Sequence, residues 1–324
     1  MVLVIYGYIQ QICALLGIPI TGRDIFENVP ALYTVNGITF SRFYSLGGEP
    51  RQYGSFIIGS IFFYMYYYYN NTNLYIKIII LLMFISLLLT LSVSCVVITL
   101  LSSVVILLDS IYYKRMELFI KLSFYVIIVL CALYIAGLFE YITHRYYTYF
   151  GPFNLLMTTG EVHPNIHAQA NNIALMKYIL NIFDLNPIHS FIGYGYSNYS
   201  TGVFEILKTY FDTNLYTLGK IDTPSAYLFV ILVENGLIGI IILLLMFLYT
   251  LKLSNRLLIY YKKTSNVVEI HRMILLRYAF ITFFMSFLIE SNFHFSIVMG
   301  LIIGKLNNLS KVIPVLQSYE NTTP

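Results

Sequence analysis

Two histidines, His163 and His167, stand four residues apart, the spacing that lets imidazoles on one helix face share a metal. Pro164 directly after His163 holds that residue out of helix. No glutamate follows in the zinc-protease arrangement and no cysteine is near, so both read as polar loop histidines and no metal site is expected. Cys13, Cys95 and Cys131 all sit inside apolar runs and read as small buried hydrophobes, with no disulfide framework. The chain has no phosphate loop, no dinucleotide fingerprint and no G-x-S-x-G elbow, and Ser225 lies outside any nucleophile motif. ATP-driven and covalent serine chemistry therefore lack support, and no cofactor is expected. What remains is a thin set of ionisable groups, with Arg42, Glu49, Arg51, Arg145, Lys177, His189, Lys220, Asp222 and Glu234 in or near polar segments. Arg277 and Glu290 are the clearest cases inside apolar runs. Gly193-x-Gly195 adds a turn that lets backbone approach a neighbour or a ligand closely.

The elements that must position these groups follow from composition. Of 324 residues, 58% are hydrophobic, 17% aromatic and 10% charged, and the mean hydropathy is +0.75. A soluble domain carries roughly 25% charged residues. The balance excludes a cytosolic enzyme, a disordered chain and a disulfide scaffold, and leaves a multi-spanning membrane protein. A net charge of +4 with dispersed basic residues argues against a nucleic-acid partner.

A lipid-spanning helix needs ~20 mostly apolar residues, because hydrocarbon offers the backbone no partner. Such runs lie at 1–20, 52–69, 74–92, 94–112, 119–140, 236–251, 273–291 and 293–309, which predicts an all-α integral membrane protein of about eight transmembrane helices. The third and fourth runs are split near Ser92 and Ser94, because together they are too long for one crossing. The first run lacks the basic start and small-residue cleavage site of a secretory signal. Lys77, Lys114, Arg115, Lys121, Lys252, Arg256, Lys262, Lys263, Arg272, Lys305 and Lys311 fall on one side, against Arg23, Arg42 and Arg51 in the short opposite loop. By the positive-inside rule both termini are expected to be cytoplasmic, with loops 21–51 and 141–224 facing outward. Tyr64 and Tyr66 to Tyr69 then form an interfacial belt at the cytoplasmic end of their span.

The organisation expected from this pattern is an N-terminal bundle at 1–140, a large outward loop at 141–224, an interfacial helix with C-terminal spans at 225–309, and a cytoplasmic tail at 310–324. The outward loop is polar, holds His144, His163, His167 and His189, and is long enough to be functional. Residues 173–183 show helical spacing, with Asn171 or Asn172 as cap and Asn186-Pro187 as stop. Asp222-Thr-Pro reads as the cap of a helix starting near Ser225, and Glu234-Asn-Gly236 as a polar break between an interfacial helix and a span.

Three segments, in order, resemble the O-antigen polymerases and O-antigen ligases of bacterial surface polysaccharide assembly. Arg42-Phe-Tyr-Ser-Leu-Gly-Gly-Glu-Pro-Arg51 is similar to the family's outward arginine and Glu-Pro element at the start of a span. Asn186-Pro-Ile-His-Ser-Phe-Ile-Gly193-Tyr-Gly195-Tyr is similar to the Pro…Gly-x-Gly element late in the large loop. Ser225-Ala-Tyr-Leu-Phe-Val-Ile-Leu-Val-Glu234-Asn-Gly236-Leu-Ile-Gly239 is similar to the signature that closes that loop. The resemblance covers about residues 40–305. The signature histidine is replaced by Ser225, which favours the polymerase branch over the ligase branch. Family members carry more spans, so some N-terminal ones are expected to be missing from this sequence.

The resemblance implies a GT-C-like membrane glycosyltransferase of the bacterial inner membrane. It would move a glycan from a polyprenyl-diphosphate carrier to a sugar hydroxyl of a lipid-linked repeat unit, without a metal. Its implied partners are the polyprenyl-diphosphate-linked oligosaccharide, the lipid bilayer, a flippase and a chain-length regulator. The diphosphate needs cations, and an arginine fork meets phosphate oxygens bidentately without ever deprotonating. Arg42 comes first for that role, then Arg51 and Arg145, with Lys177 and Lys220 behind. The acceptor hydroxyl needs a base. Asp222 comes first, by analogy with glycan polymerases of the peptidoglycan shape-and-division group, ahead of Glu234, Glu49 and His189. The rivals are an O-antigen ligase, and from another class a lipid-linked oligosaccharide flippase or other multi-spanning transporter.

Overall fold

In hydrocarbon a single apolar run can satisfy its own backbone only as helix, and helix is what the described runs form. The computed structural model describes residues 1–15, 32–35, 38–41, 50–71, 73–90, 92–112, 120, 187–196, 198–199, 202, 227–290 and 293–320. Its elements, in chain order, are α1 (Val2–Leu15), β1 (Leu32–Val35), β2 (Ile38–Ser41), α2 (Pro50–Tyr67), α3 (Leu74–Leu89), α4 (Val93–Tyr112), α5 (Pro187–Ile192), α6 (Tyr227–Lys263), α7 (Val267–Ile289) and α8 (Phe293–Glu320). A helix stands at every expected apolar run except 119–140, which lies outside the described residues apart from residue 120. Three helices among the described residues are long and apolar enough to cross a membrane: Ser94–Tyr112 in α4, all of α6, and α7. The expected helix at 173–183 lies outside the described residues.

One feature departs from an all-α chain. β1 and β2 pair antiparallel, with Leu32 opposite Ser41 and Val35 opposite Ile38. The sequence between them is Asn36-Gly37, the dipeptide most suited to a two-residue hairpin turn.

The chain divides into two compact units. Unit 1 holds residues 1–142, 250–286 and 292–324, and unit 2 holds 143–249 and 287–291. Within unit 1, α3 starts on the Asn73 side chain, which accepts from the Tyr75 N–H at 3.0 Å. It buries Ile76, Ile79, Met83 and Ser86 along one stripe. It stops at Thr90, whose hydroxyl donates back to the Leu87 carbonyl at 2.7 Å, and α4 restarts at Val93. Tyr53 on α2 donates to the Ser86 hydroxyl at 2.8 Å, fixing α2 against α3.

The rings of Phe56, Phe283 and Phe295 pack together where α2, α7 and α8 meet. Between α6 and α7 the chain turns through a Schellman motif. The Asn266 N–H reaches the Tyr261 carbonyl at 3.0 Å and the Ser265 N–H reaches Lys262 at 3.2 Å. Asn266 then caps α7 by accepting from the Glu269 N–H at 3.1 Å. α8 is helical through Glu320.

Candidate functional site

The two glycine-containing segments singled out in the sequence meet in unit 2. α6 is two helices joined at Gly236, where φ is 61° and ψ is −163°. That conformation is open essentially only to glycine. A break of this kind orphans the last carbonyls of the helix before it, because their usual donors four residues on are no longer in place. Two of those carbonyls are met from outside the helix. The Tyr194 N–H donates to the Val233 carbonyl at 2.9 Å, and the Gly195 N–H donates to the Glu234 carbonyl at 2.8 Å.

The approach needs bare backbone on both sides. A Cβ on Gly236 would stand 2.3 Å from the Phe191 carbonyl oxygen, and one on Gly193 would stand 2.2 Å from the Glu234 carbonyl oxygen. Gly193 and Gly195 also take positive φ, 74° and 92°. The expected polar break and the expected close approach are thus two halves of one joint.

The local sequence builds the other half. Pro187 opens α5, where its fixed φ suits the first helical position and its missing N–H loses no bond. α5 ends at once. The Gly193 N–H bonds the His189 carbonyl at 2.8 Å, and the His189 Nδ1 stands 3.0 Å from the Gly193 carbonyl. A carbonyl only accepts, so Nδ1 carries the proton and Nε2 is the basic nitrogen of the neutral ring. The imidazole stacks on Tyr194 with centroids 4.2 Å apart and planes 11° apart. Asn198 closes the turn by donating its side-chain amide to the Tyr194 carbonyl at 3.0 Å. Glu234 is buried, and at the start of α6 the Tyr227 ring meets Phe287 edge-on at 5.1 Å.

Of the residues singled out in the sequence, His189, Gly193, Gly195 and Glu234 share this joint. Arg51 lies in the first turn of α2 in unit 1, half-buried, and its carbonyl accepts from the Cys95 thiol at 3.7 Å. Arg42, Arg145, Lys177, Lys220 and Asp222 lie outside the described residues.

Two residues were missed by the sequence reading. Tyr199 follows the Gly-x-Gly turn and is 3% exposed, and its hydroxyl makes no hydrogen bond among the described residues. Burial pushes its phenol well above the ordinary tyrosine range. A tyrosine among 31 carries no sequence signal of that kind. Asp109 is the second, buried on α4 against Arg277. Its signal was available, since an aspartate inside an apolar run must find a partner.

Chemically, the joint offers the buried Glu234 side chain and an imidazole oriented through Nδ1, on backbone that the 193–195 turn ties to the Val233 and Glu234 carbonyls. Among the described residues no cluster of three or more metal-ligating side chains occurs. Comparison with known proteins gives no match: no family model, no curated protein and no solved structure corresponds to the chain.

Proposed function

We propose that the protein is a polysaccharide repeat-unit polymerase of the bacterial inner membrane, a GT-C-like glycosyltransferase with about eight spans, cytoplasmic termini and its site on the outward side. The observation that most supports this reading is the seating of Gly193-x-Gly195 on Glu234-Asn-Gly236, because these are two of the three segments that resemble the O-antigen polymerases. In the proposed reaction a base takes the proton of an acceptor sugar hydroxyl, and that oxygen attacks the anomeric carbon of the donor glycan. The bond from that carbon to the diphosphate oxygen breaks, and polyprenyl diphosphate leaves. Arg42, Arg51 and Arg145, with Lys177 and Lys220, meet the growing charge on the leaving group. Asp222 is the proposed base, with Glu234 and His189 behind it.

Deletion of the gene, with complementation by Arg42→Ala, tests the reading. Long surface polysaccharide, a ladder on a gel, should collapse to single repeat units in both strains, and an unchanged ladder overturns the proposal. A ligase would instead leave full-length chains on the lipid carrier.

A second reading has its own support. A helix broken at Gly236 and a buried ion pair between Asp109 and Arg277 are also features of membrane carriers. Loss of a flippase would leave repeat units on the cytoplasmic face, where an impermeant glycan-modifying reagent cannot reach them.

A further inference from the structure

Unit 1 carries a fully satisfied charge in an apolar interior. Arg277 on α7 is 1% exposed. Its Nε donates to Asp109 Oδ2 at 3.0 Å, and its Nη2 donates to Asp109 Oδ1. Its Nη1 reaches the Leu251 carbonyl at 2.6 Å and the Ser254 hydroxyl at 2.5 Å on the 250–263 part of α6. Ser254 donates to the same Leu251 carbonyl at 2.9 Å. One residue along on each helix, the hydroxyls of Ser110 and Tyr278 bond at 3.1 Å. A single guanidinium thus ties three helices together.

We propose that the Asp109–Arg277 pair is a register lock, fixing the depth and rotation at which α7 packs against α4 and the 250–263 part of α6. The argument begins from what lipid removes. Between transmembrane helices there is no hydrophobic driving force, because lipid tails are as apolar as the side chains. α4 presents Leu100, Leu101, Val104 and Leu108 outward, exposed and apolar. Exchanging such residues for other apolar ones at an interface changes little energy, so a slipped packing lies close by. A desolvated ion pair is also a poor source of net stability, since its desolvation offsets most of its attraction.

Its geometry, however, is exacting. A slip of one residue moves a side chain about 1.5 Å along the helix and about 100° around it. That is enough to take the fork off the carboxylate and the Leu251 carbonyl together, and to leave a charge unpaired in hydrocarbon. The slipped state is thereby excluded.

The reporter is the contact in which the Ser286 hydroxyl donates to the Ser55 carbonyl at 2.9 Å, between α7 and α2. In full-length protein in native membranes, with Cys13, Cys95 and Cys131 changed to Ala, the Ser55→Cys/Ser286→Cys pair should oxidise to a disulfide. Two backgrounds are compared with this parent. Arg277→Lys keeps the charge but loses the fork. Asp109→Leu with Arg277→Met removes both charges. Both should accumulate near parental amounts while the disulfide yield falls several-fold, and a Ser55→Cys/Thr282→Cys pair, one turn away, should begin to oxidise. A parental yield in either background overturns the lock. Disappearance of both proteins from the membrane also overturns it, because the pair would then be a net source of stability.

Discussion

The two units meet the same difficulty, polar groups in apolar surroundings, by opposite means. In unit 2 the groups are backbone carbonyls released by the break at Gly236, and backbone N–H groups of the 193–195 turn satisfy them. In unit 1 the groups are full charges, and side chains from three helices satisfy them. The backbone solution tolerates almost any side chain nearby but demands the absence of a Cβ at Gly193 and Gly236. The side-chain solution leaves backbone conformation free but demands particular atoms at particular depths. A joint of the first kind belongs where a loop must be seated, and a clamp of the second kind belongs where helices must not slide.

The largest expected effect attacks the clamp. Arg277→Ala strips Asp109 of its fork and leaves a carboxylate in the interior. Breaking a buried pair from one side costs about 3–5 kcal/mol. The variant should be strongly depleted from membranes, with a lowered melting temperature in detergent. A variant as stable as the parent would show that the pair is wet, and the contrast between the units would lapse.

The joint comes next. Gly236→Ala puts a methyl group 2.3 Å from the Phe191 carbonyl in a conformation foreign to alanine. Strain of this kind costs about 1–3 kcal/mol before any clash is counted. Because the strained residue seats the 193–195 turn, limited proteolysis of the membrane-bound protein should cut near residues 193–202 far faster than in the parent. Cleavage confined elsewhere would mean that the turn does not depend on the break.

How much of this was legible in the sequence differs by kind of constraint. The helix positions were readable because lipid imposes length and apolarity on each run directly, and α3 stops at Thr90 and α4 restarts at Val93, beside the split expected near Ser92 and Ser94. Glu234-Asn-Gly236 was readable as a break and Gly193-x-Gly195 as a close approach, since glycine declares its backbone role. That each was the other's neighbour was not readable, because main-chain hydrogen bonds leave no trace in side-chain types. Asp109 and Arg277 were both visible as charges in apolar runs, but 168 residues separate them and nothing local pairs them. The hairpin has its signal in Asn36-Gly37, a dipeptide suited to a two-residue turn within the expected 21–51 loop. Of the groups the sequence proposed for chemistry, the described residues bring His189, Gly193, Gly195 and Glu234 together at the joint. Arg42, Arg145, Lys177, Lys220 and Asp222 lie outside the described residues.

The smallest effect separates two contributions inside the joint. Gly195 has φ of 92°, like Gly193 on the left-handed side, yet a Cβ there would meet only the Asn198 side-chain amide, at 3.3 Å. Gly195→Ala therefore adds conformational strain with little collision, and the amide can shift by the few tenths of an ångström required. Gly193→Ala adds similar strain and also drives a methyl group into the Glu234 carbonyl. Strain alone costs about 1–3 kcal/mol, so Gly195→Ala should lower the melting temperature modestly and leave the turn resistant to protease, whereas Gly193→Ala should behave like Gly236→Ala. If the two alanine variants prove equal, positive φ rather than backbone contact is what the glycines supply, and the carbonyls of Val233 and Glu234 would be accepting bonds that any well-placed turn could donate.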